Sequence, residues 1–287
     1  MSKRSNSKAL TKQSWGVLKQ HRYLLKFPLV GFLVALVPMA LAAAAGIGAA
    51  IAQDNENTPQ VVIFGALLVL FMFITALIGN VFAGGLVTAV SRELQGRPSS
   101  FGDGVSSAMG HLGTLSKWSF IQLVVSFIIS RIQGSGGGGA ASGILRSLLA
   151  ATAGILWSLV TFLVMPVLMN EDTKVVASIK RSAELLKGRW GDQIKGRVRI
   201  GGFLIFVIVI PAIIALIAGV ALSISGGISL AVGVPLIVLG VFGFGLALLL
   251  AQAVQGVFAT VLYLYAVNGT APEGFTEEQL AGAITPK

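Results

Sequence analysis

The side chains in this 287-residue sequence that could do acid–base or metal chemistry are few: 11 Asp and Glu, two His and no Cys. The absence of thiols excludes a disulfide framework, a thiolate zinc site, a cysteine-ligated iron–sulfur cluster and a cysteine nucleophile. His21 and His111 have no third ligand at metal-like spacing, so no metal centre is expected. No serine sits in a G-x-S-x-G setting, and Gly136–Gly139 neither follows a strand pattern nor leads to a Lys-Ser/Thr pair, as a phosphate loop would. No cofactor and no enzyme chemistry are expected. Every carboxylate falls outside the long apolar runs. That disfavours an ion-coupled carrier, which needs a titrating or coordinating group at membrane depth.

The charge that remains is cationic. The formal net charge is +10, from 21 Lys and Arg. In a soluble domain this would raise nucleic-acid binding. Here the cations stand beside apolar segments, so anionic lipid headgroups are the expected counter-charge and no nucleic-acid partner is expected. Three stretches carry them with helical rather than continuous hydrophobicity. In the first, Leu10, Ser14, Val17, Leu18, His21, Leu24 and Leu25 share one arc, while Lys12, Lys19 and Lys26 recur every seventh residue opposite. In the second, Val105, Ala108, Met109, Leu112 and Leu115 form the stripe. In the third it is Val175, Val176, Ile179, Ala183, Leu186 and Trp190, with Lys174, Lys180, Arg181, Lys187 and Arg189 around them; Asp172 or Thr173 is the expected cap. Each reads as an interfacial helix with its apolar face in the headgroup boundary and its basic flank on anionic lipid. Each ends in a basic residue followed by an aromatic, so Tyr23, Trp118 and Trp190 are expected as interface anchors.

The elements that hold these stretches are set by composition: 55% hydrophobic residues and only 11% charged, against roughly 25% charged in a soluble domain. The chain reads as an all-α, polytopic integral membrane protein. A crossing needs about 20 apolar residues. Pro28–Ile51, Val61–Val90 and Ser147–Met169 carry no charge, and neither does the whole of Ile200–Pro272. Gly226-Gly227 divides that last run into Ile200–Ser223 and Ile228–Val267, read as one helix each. Trp118–Ser130, extended to about Gln133 if Lys117 and Arg131 snorkel, is a sixth crossing, with a re-entrant segment as the alternative. The expectation is six transmembrane helices as three hairpins, each preceded by an amphipathic helix on the cytoplasmic side. A small-residue motif at Ala50–Gln53 raises a cleavable signal peptide, but the 24 apolar residues before it exceed a typical h-region.

With this layout, 19 of the 21 basic residues share the side of the N-terminus. The positive-inside rule makes that side, and both termini, cytoplasmic. The domain reading is one membrane domain over 1–272, with pseudo-repeats of about 1–95, 96–170 and 171–268, and a short acidic tail over 273–287. Short echoes carry the repeats: Ser14-x-x-Val-Leu-Lys19 against Ser182-x-x-Leu-Leu-Lys187, and Gly31-Phe-Leu leading to Pro38 against Gly202-Phe-Leu leading to Pro211.

The loop Met165-Pro-Val-Leu-Met-Asn-Glu171, followed by Ser178-Ile-Lys-Arg-Ser-Ala-Glu-Leu-Leu-Lys-Gly-Arg-Trp190, resembles uncharacterised bacterial multi-pass families, among them the membrane domain that accompanies some glycerophosphodiester phosphodiesterases. Trp157–Pro166 also resembles one uncharacterised family of this group. The resemblance implies a six-helix protein of the bacterial cell membrane and carries over no activity; no soluble region is long enough for a catalytic barrel.

Polar side chains within the crossings admit two uses. Asn80, Gln122, Thr161, Gln252 and Gln255 are either helix-to-helix hydrogen-bonding groups or the lining of a cavity. Glu171, closing the fourth crossing, is either a helix-start carboxylate or the partner of Arg181 or Lys180. The function expected is a non-enzymatic membrane protein that organises anionic lipid or partner proteins, a second copy included. The alternative is a transporter or channel for a small or lipid-like solute. Cysteines introduced at Ser5 and Leu185 are expected to react with an impermeant maleimide from the same face of sealed vesicles. Labelling from opposite faces would invert the layout.

Overall fold

The computed structural model describes residues 3–134, 140–190 and 228–281, and among these it is helical, without strands. The first helix, α1 (Lys3–Gln20), leads through a short 3-10 turn, Arg22–Leu25, into α2 (Lys26–Asp54). A turn at Asn55–Asn57 reverses the chain into α3 (Thr58–Glu93). Glu56 takes a left-handed φ of 53° there, and the Asn57 side chain accepts from the Gln60 amide at 3.3 Å, capping a helix that has Pro in its first turn. Two contacts hold the hairpin in register, symmetric about Glu56. A Cβ on Gly31 would lie 2.9 Å from Phe82, and one on Gly48 2.9 Å from Phe64. Each glycine is the space its phenylalanine fills.

After the hairpin come α4 (Phe101–Gly110) and α5 (Leu112–Gly134). Ser100 and Asp103 form a capping box at the start of α4. The Ser100 hydroxyl, and after it the Ser100 amide, hold the Asp103 carboxyl below the usual carboxylate range. Then follow α6 (Ala140–Thr161), the short α7 (Val164–Asn170), α8 (Val175–Trp190), α9 (Ile228–Asn268) and α10 (Glu277–Ala281).

Five of these segments are long and apolar enough to cross a membrane: Arg22–Asp54, Thr58–Glu93, Leu112–Ile132, Arg146–Asn170 and Leu248–Asn268. They coincide with five of the six expected crossings; the other, Ile200–Ser223, lies outside the described residues. One differs from expectation in form, and the last candidate crossing, Leu248–Asn268, covers only the second half of the expected Ile228–Val267. The Arg146–Asn170 segment is broken at Phe162–Leu163, because Pro166 has no amide to continue the ladder from α6 into α7. The Leu163 amide donates instead to the Ser182 hydroxyl of α8 at 3.2 Å. Ile228–Asn268 is a single helix of 41 residues, about 62 Å at 1.5 Å per residue, uninterrupted by Gly240–Gly245.

The core lies at the end of the bundle where α3 and α9 finish. Ala253, Val257, Val261 and Leu262 of α9 are fully buried there. Around them pack Leu10 and Leu18 of α1, Leu24 of the 3-10 turn, Phe27 of α2, Leu86 and Val90 of α3, Leu163 and Val167, Leu185 and Leu186 of α8, and Phe275 and Leu280 of the tail. The far halves of α2 and α3 instead present Val37, Ile47, Ile51, Val62 and Ile63 on the outside, as a lipid-facing surface would. The stripes of α1 and α8 correct the expectation of a face in the headgroup boundary. Leu10, Ser14 and Leu18 of the first stripe and Val175 and Leu186 of the third are buried inside the protein, with Ser178, Ser182 and Leu185 beside them on α8, whereas Val176 stays exposed. A helical period records one apolar face but not what covers it, and here other helices cover it.

Where α3 crosses α4 the backbones nearly touch. A Cβ on Gly104 would lie 2.5 Å from Phe27 Cζ and 2.6 Å from the Gly85 carbonyl oxygen, and Phe27 itself is fully buried. Gly104→Ala is therefore expected to cost about 1–3 kcal/mol by overpacking. Gly79→Ala, where a Cβ meets nothing within 4 Å, is expected to be neutral or slightly stabilising. Unfolding by SDS titration in mixed micelles compares the two; equal midpoints would remove the close-packed crossing.

Candidate functional site

Two carboxylates close helices of the core end, and each gathers partners from other elements. Glu93 ends α3, after a run of uncharged residues. Its Oε1 accepts from the Tyr23 hydroxyl at 2.6 Å and from the Ser99 amide at 3.2 Å, and its Oε2 lies 3.4 Å from His21 Nδ1. Glu171 follows α7 in the same way. It accepts from Arg181 Nε at 3.1 and 3.2 Å and from the Tyr263 hydroxyl of α9 at 3.2 Å. Between the two, the Ser91 hydroxyl donates to Asn170 Oδ1 at 2.7 Å, and Asn170 Nδ2 donates to the Pro166 carbonyl at 2.8 Å.

A third pair joins the α4–α5 corner to the turn before α8. His111 Nδ1 lies 2.8 Å from the Ser107 carbonyl, which only accepts, so that nitrogen carries the proton; Nε2 faces Asp172 Oδ1 at 3.4 Å. Asp172 takes a left-handed φ of 48°. Neither Asp172 nor Thr173 caps α8 in the expected way, since the Thr173 hydroxyl pairs with the Ser178 hydroxyl at 2.6 Å. The chain's ends meet here too: Gln13 Nε2 donates to Gln279 Oε1 at 3.0 Å. These bonds bring α1, the 91–99 loop, the α4–α5 corner, the 170–175 turn, α8, the end of α9 and the tail to one polar end.

The expected site residues separate into three sets. Lys12, Lys19, Lys26, Lys180 and Lys187 are exposed, and among the described residues none of them holds an ion pair or hydrogen bond. Arg181 is taken up by Glu171, because a guanidinium at that distance is drawn to the nearest partly buried carboxylate. Arg189 and Trp190 close α8, and their side chains lie outside the described residues.

Two of the three expected aromatic anchors have partners inside the protein. Trp118 is 3% exposed and stacks on Trp157 at 6.0 Å, beside Val164, Leu168 and Val175. The broken helix offers it a better-packed seat than the headgroups do. Tyr23 is half-buried on Glu93 rather than free.

The candidate lining residues do not converge. Asn80 Nδ2 donates to Ser119 Oγ at 2.8 Å and to Gln122 Oε1 at 2.7 Å, tying α3 to α5. Thr161 donates to the Trp157 carbonyl of its own helix, and Gln252 and Gln255 face outward.

Sequence reasoning missed Glu93 and Tyr263. The signal for Glu93 was available: like Glu171, it is a carboxylate within three residues of the end of a long uncharged run. Both tyrosines of Leu262-Tyr-Leu-Tyr265 are buried, and nothing in that stretch marks Tyr263 as the one that reaches Glu171. No group of three His, Cys, Asp or Glu that could hold a metal occurs among the described residues.

A double-mutant cycle of Glu171→Gln and Arg181→Gln is expected to return a coupling of about 0.5–1 kcal/mol, modest because Arg181 is partly exposed. Tyr263→Phe is expected to lose about 0.5–1.5 kcal/mol for its hydroxyl. Additive charge substitutions would show that the pair holds nothing.

Comparison with known families finds that the family model of a family of unknown function (DUF6159) matches residues 58–274. Comparisons with curated proteins and with solved structures return no match.

Proposed function

The chain belongs to that family of unknown function, and we propose that it is a non-enzymatic membrane protein whose polar end organises anionic lipid, or partner proteins that include a second copy, at the cytoplasmic leaflet of a bacterial cell. The observation that carries this is the set of exposed, unpaired lysines: Lys26 at the start of α2, and Lys12, Lys19, Lys180 and Lys187 on α1 and α8. The apolar sides of both helices are buried in the core. The cations are therefore held outward by a rigid frame rather than by flexible loops, and they have no carboxylate of their own to neutralise them.

The topology proposed with it has six crossings in three hairpins and both termini in the cytoplasm, the fifth crossing assigned from Ile200–Ser223 by sequence. The gathering of α1, both inter-hairpin turns and the tail at one end supports it, as does the cationic excess of those segments. Duplication of one unit is supported by equivalent burial at echoing positions: Ser14 and Ser182 are buried, Leu18 and Leu186 are buried, and Lys19 and Lys187 are exposed. The likeness of Met165–Trp190 to the membrane domain accompanying some glycerophosphodiester phosphodiesterases is proposed as a kinship of architecture only. A pore is not favoured, because among the described residues Asn80 and Gln122 bond to one another, Thr161 bonds to its own helix, and Gln252 and Gln255 face outward.

The test replaces all five lysines by Gln in the full chain and weighs the phosphatidylglycerol retained against phosphatidylcholine after extraction from mixed vesicles. Each surface lysine contributes about 1 kcal/mol toward anionic lipid, roughly fivefold in preference. The preference is expected to fall at least that much, and to weaken in the unsubstituted protein as salt rises. An unchanged preference would sink the proposal.

A further inference from the structure

Helix α5 fixes where a membrane boundary must fall. Its apolar stretch runs over Leu112–Ile132, 21 residues, about 31 Å at 1.5 Å per residue, which matches the hydrocarbon core. A crossing begun at Trp118 would reach only about 22 Å by Ile132. A crossing that uses the whole of this segment has Leu112 at its edge, with Met109, on the last turn of α4, beside it.

Both side chains are open: Met109 is 51% exposed and Leu112 38%, with Gly110 and Gly113 exposed next to them. From Leu112 the outward arc of α5 continues through Phe120, Val124, Phe127 and Ile128, all exposed. Lys117 is exposed on the same arc. The opposite side of the corner is fixed. Ala108 and Leu115 are fully buried with Val81, Val87 and Met169, and His111 Nδ1 donates to the Ser107 carbonyl. Rolling Met109 and Leu112 inward would bring Ala108 and Leu115 out of that packing.

We propose that the α4–α5 corner is a lipid-inserted anchor: Met109 and Leu112 enter the acyl boundary of a phospholipid leaflet, and Lys117 lies back along α5 to reach the phosphates. This amphipathic stretch keeps an outward apolar face at the crossing's edge. The occupant is lipid rather than protein because the patch is continuous with the bilayer-facing arc of α5 and its one cation is placed to snorkel. The inference rests on the reading that this end meets a leaflet, but it needs no anionic lipid.

The chain has no cysteine, so single thiols report cleanly. Met109→Cys, Leu112→Cys and Gly113→Cys carry a bimane label in the full-length protein in zwitterionic phosphatidylcholine vesicles. Gly113 guards against misfolding, since a Cβ there meets nothing within 4 Å. Shallow nitroxide-labelled lipid is expected to quench all three labels as it does one at Phe120→Cys, with little loss to aqueous iodide. Iodide quenching equal to that at Gln95→Cys, without loss to nitroxide, would place the corner in water. Loss to neither would place it under protein. Either result overturns the anchor. An anionic-lipid preference unchanged by the five lysine substitutions, with nitroxide quenching persisting, would remove the lipid-organising reading and leave the anchor standing.

Discussion

In a hydrocarbon solvent apolar surface gains nothing by leaving lipid for protein, so helices associate through close fit and satisfied polar groups. The end of α9 from Ala253 to Ala266 obeys that constraint, and the rest of the structure is arranged around it. Small and β-branched side chains there let α1, α3, α8 and the 163–167 segment approach. The buried serines do the same from the other side: Ser14 on α1, and Ser178 and Ser182 on α8. Ser182 serves twice, filling little space and receiving the Leu163 amide. The Ser14 hydroxyl is buried with no hydrogen-bond partner among the described residues, a cost of a kind that close approach can offset.

Where the helices emerge from that packing, charged groups take over. Glu93 and Glu171 each bind one tyrosine and one basic side chain from different elements. Partly exposed pairs of this kind contribute little net stability. What they contribute is direction, because a carboxylate with three donors has few arrangements. The carboxylates consume Arg181 and Tyr23, and the lysines are left over. The polar end thus holds both an internally neutralised layer and an outer layer of unpaired positive charge.

Much of this was legible in the sequence because the membrane imposes lengths. Crossings such as Pro28–Ile51 and Val61–Val90 follow from uncharged runs, and the Arg181–Glu171 pair follows from ten residues of separation across a turn. Direction was not legible. A helical period in Leu10–Leu18 gives a stripe, but whether lipid or α9 covers it depends on residues more than 230 positions away. Trp118 followed a lysine as an interface anchor does, yet the break at Phe162–Leu163 opened a seat for it beside Trp157. That break required knowing that Ser182 would be there to accept the Leu163 amide. Met109 and Leu112 belonged to the same stripe as Ala108, and only the crossing of Gly85 with Gly104 decides which of them turn inward.

The seating of Leu10 and Leu18 on the last long helix carries a consequence for biogenesis. The ribosome makes α1 before the helix that supports it, so through the synthesis of everything between them α1 has no permanent place. It must wait, its oily side screened by lipid or a chaperone, until Phe275 and Leu280 emerge to clasp it. A chain arrested before that point would display an unclaimed amphipathic segment, the kind of feature on which membrane proteases act.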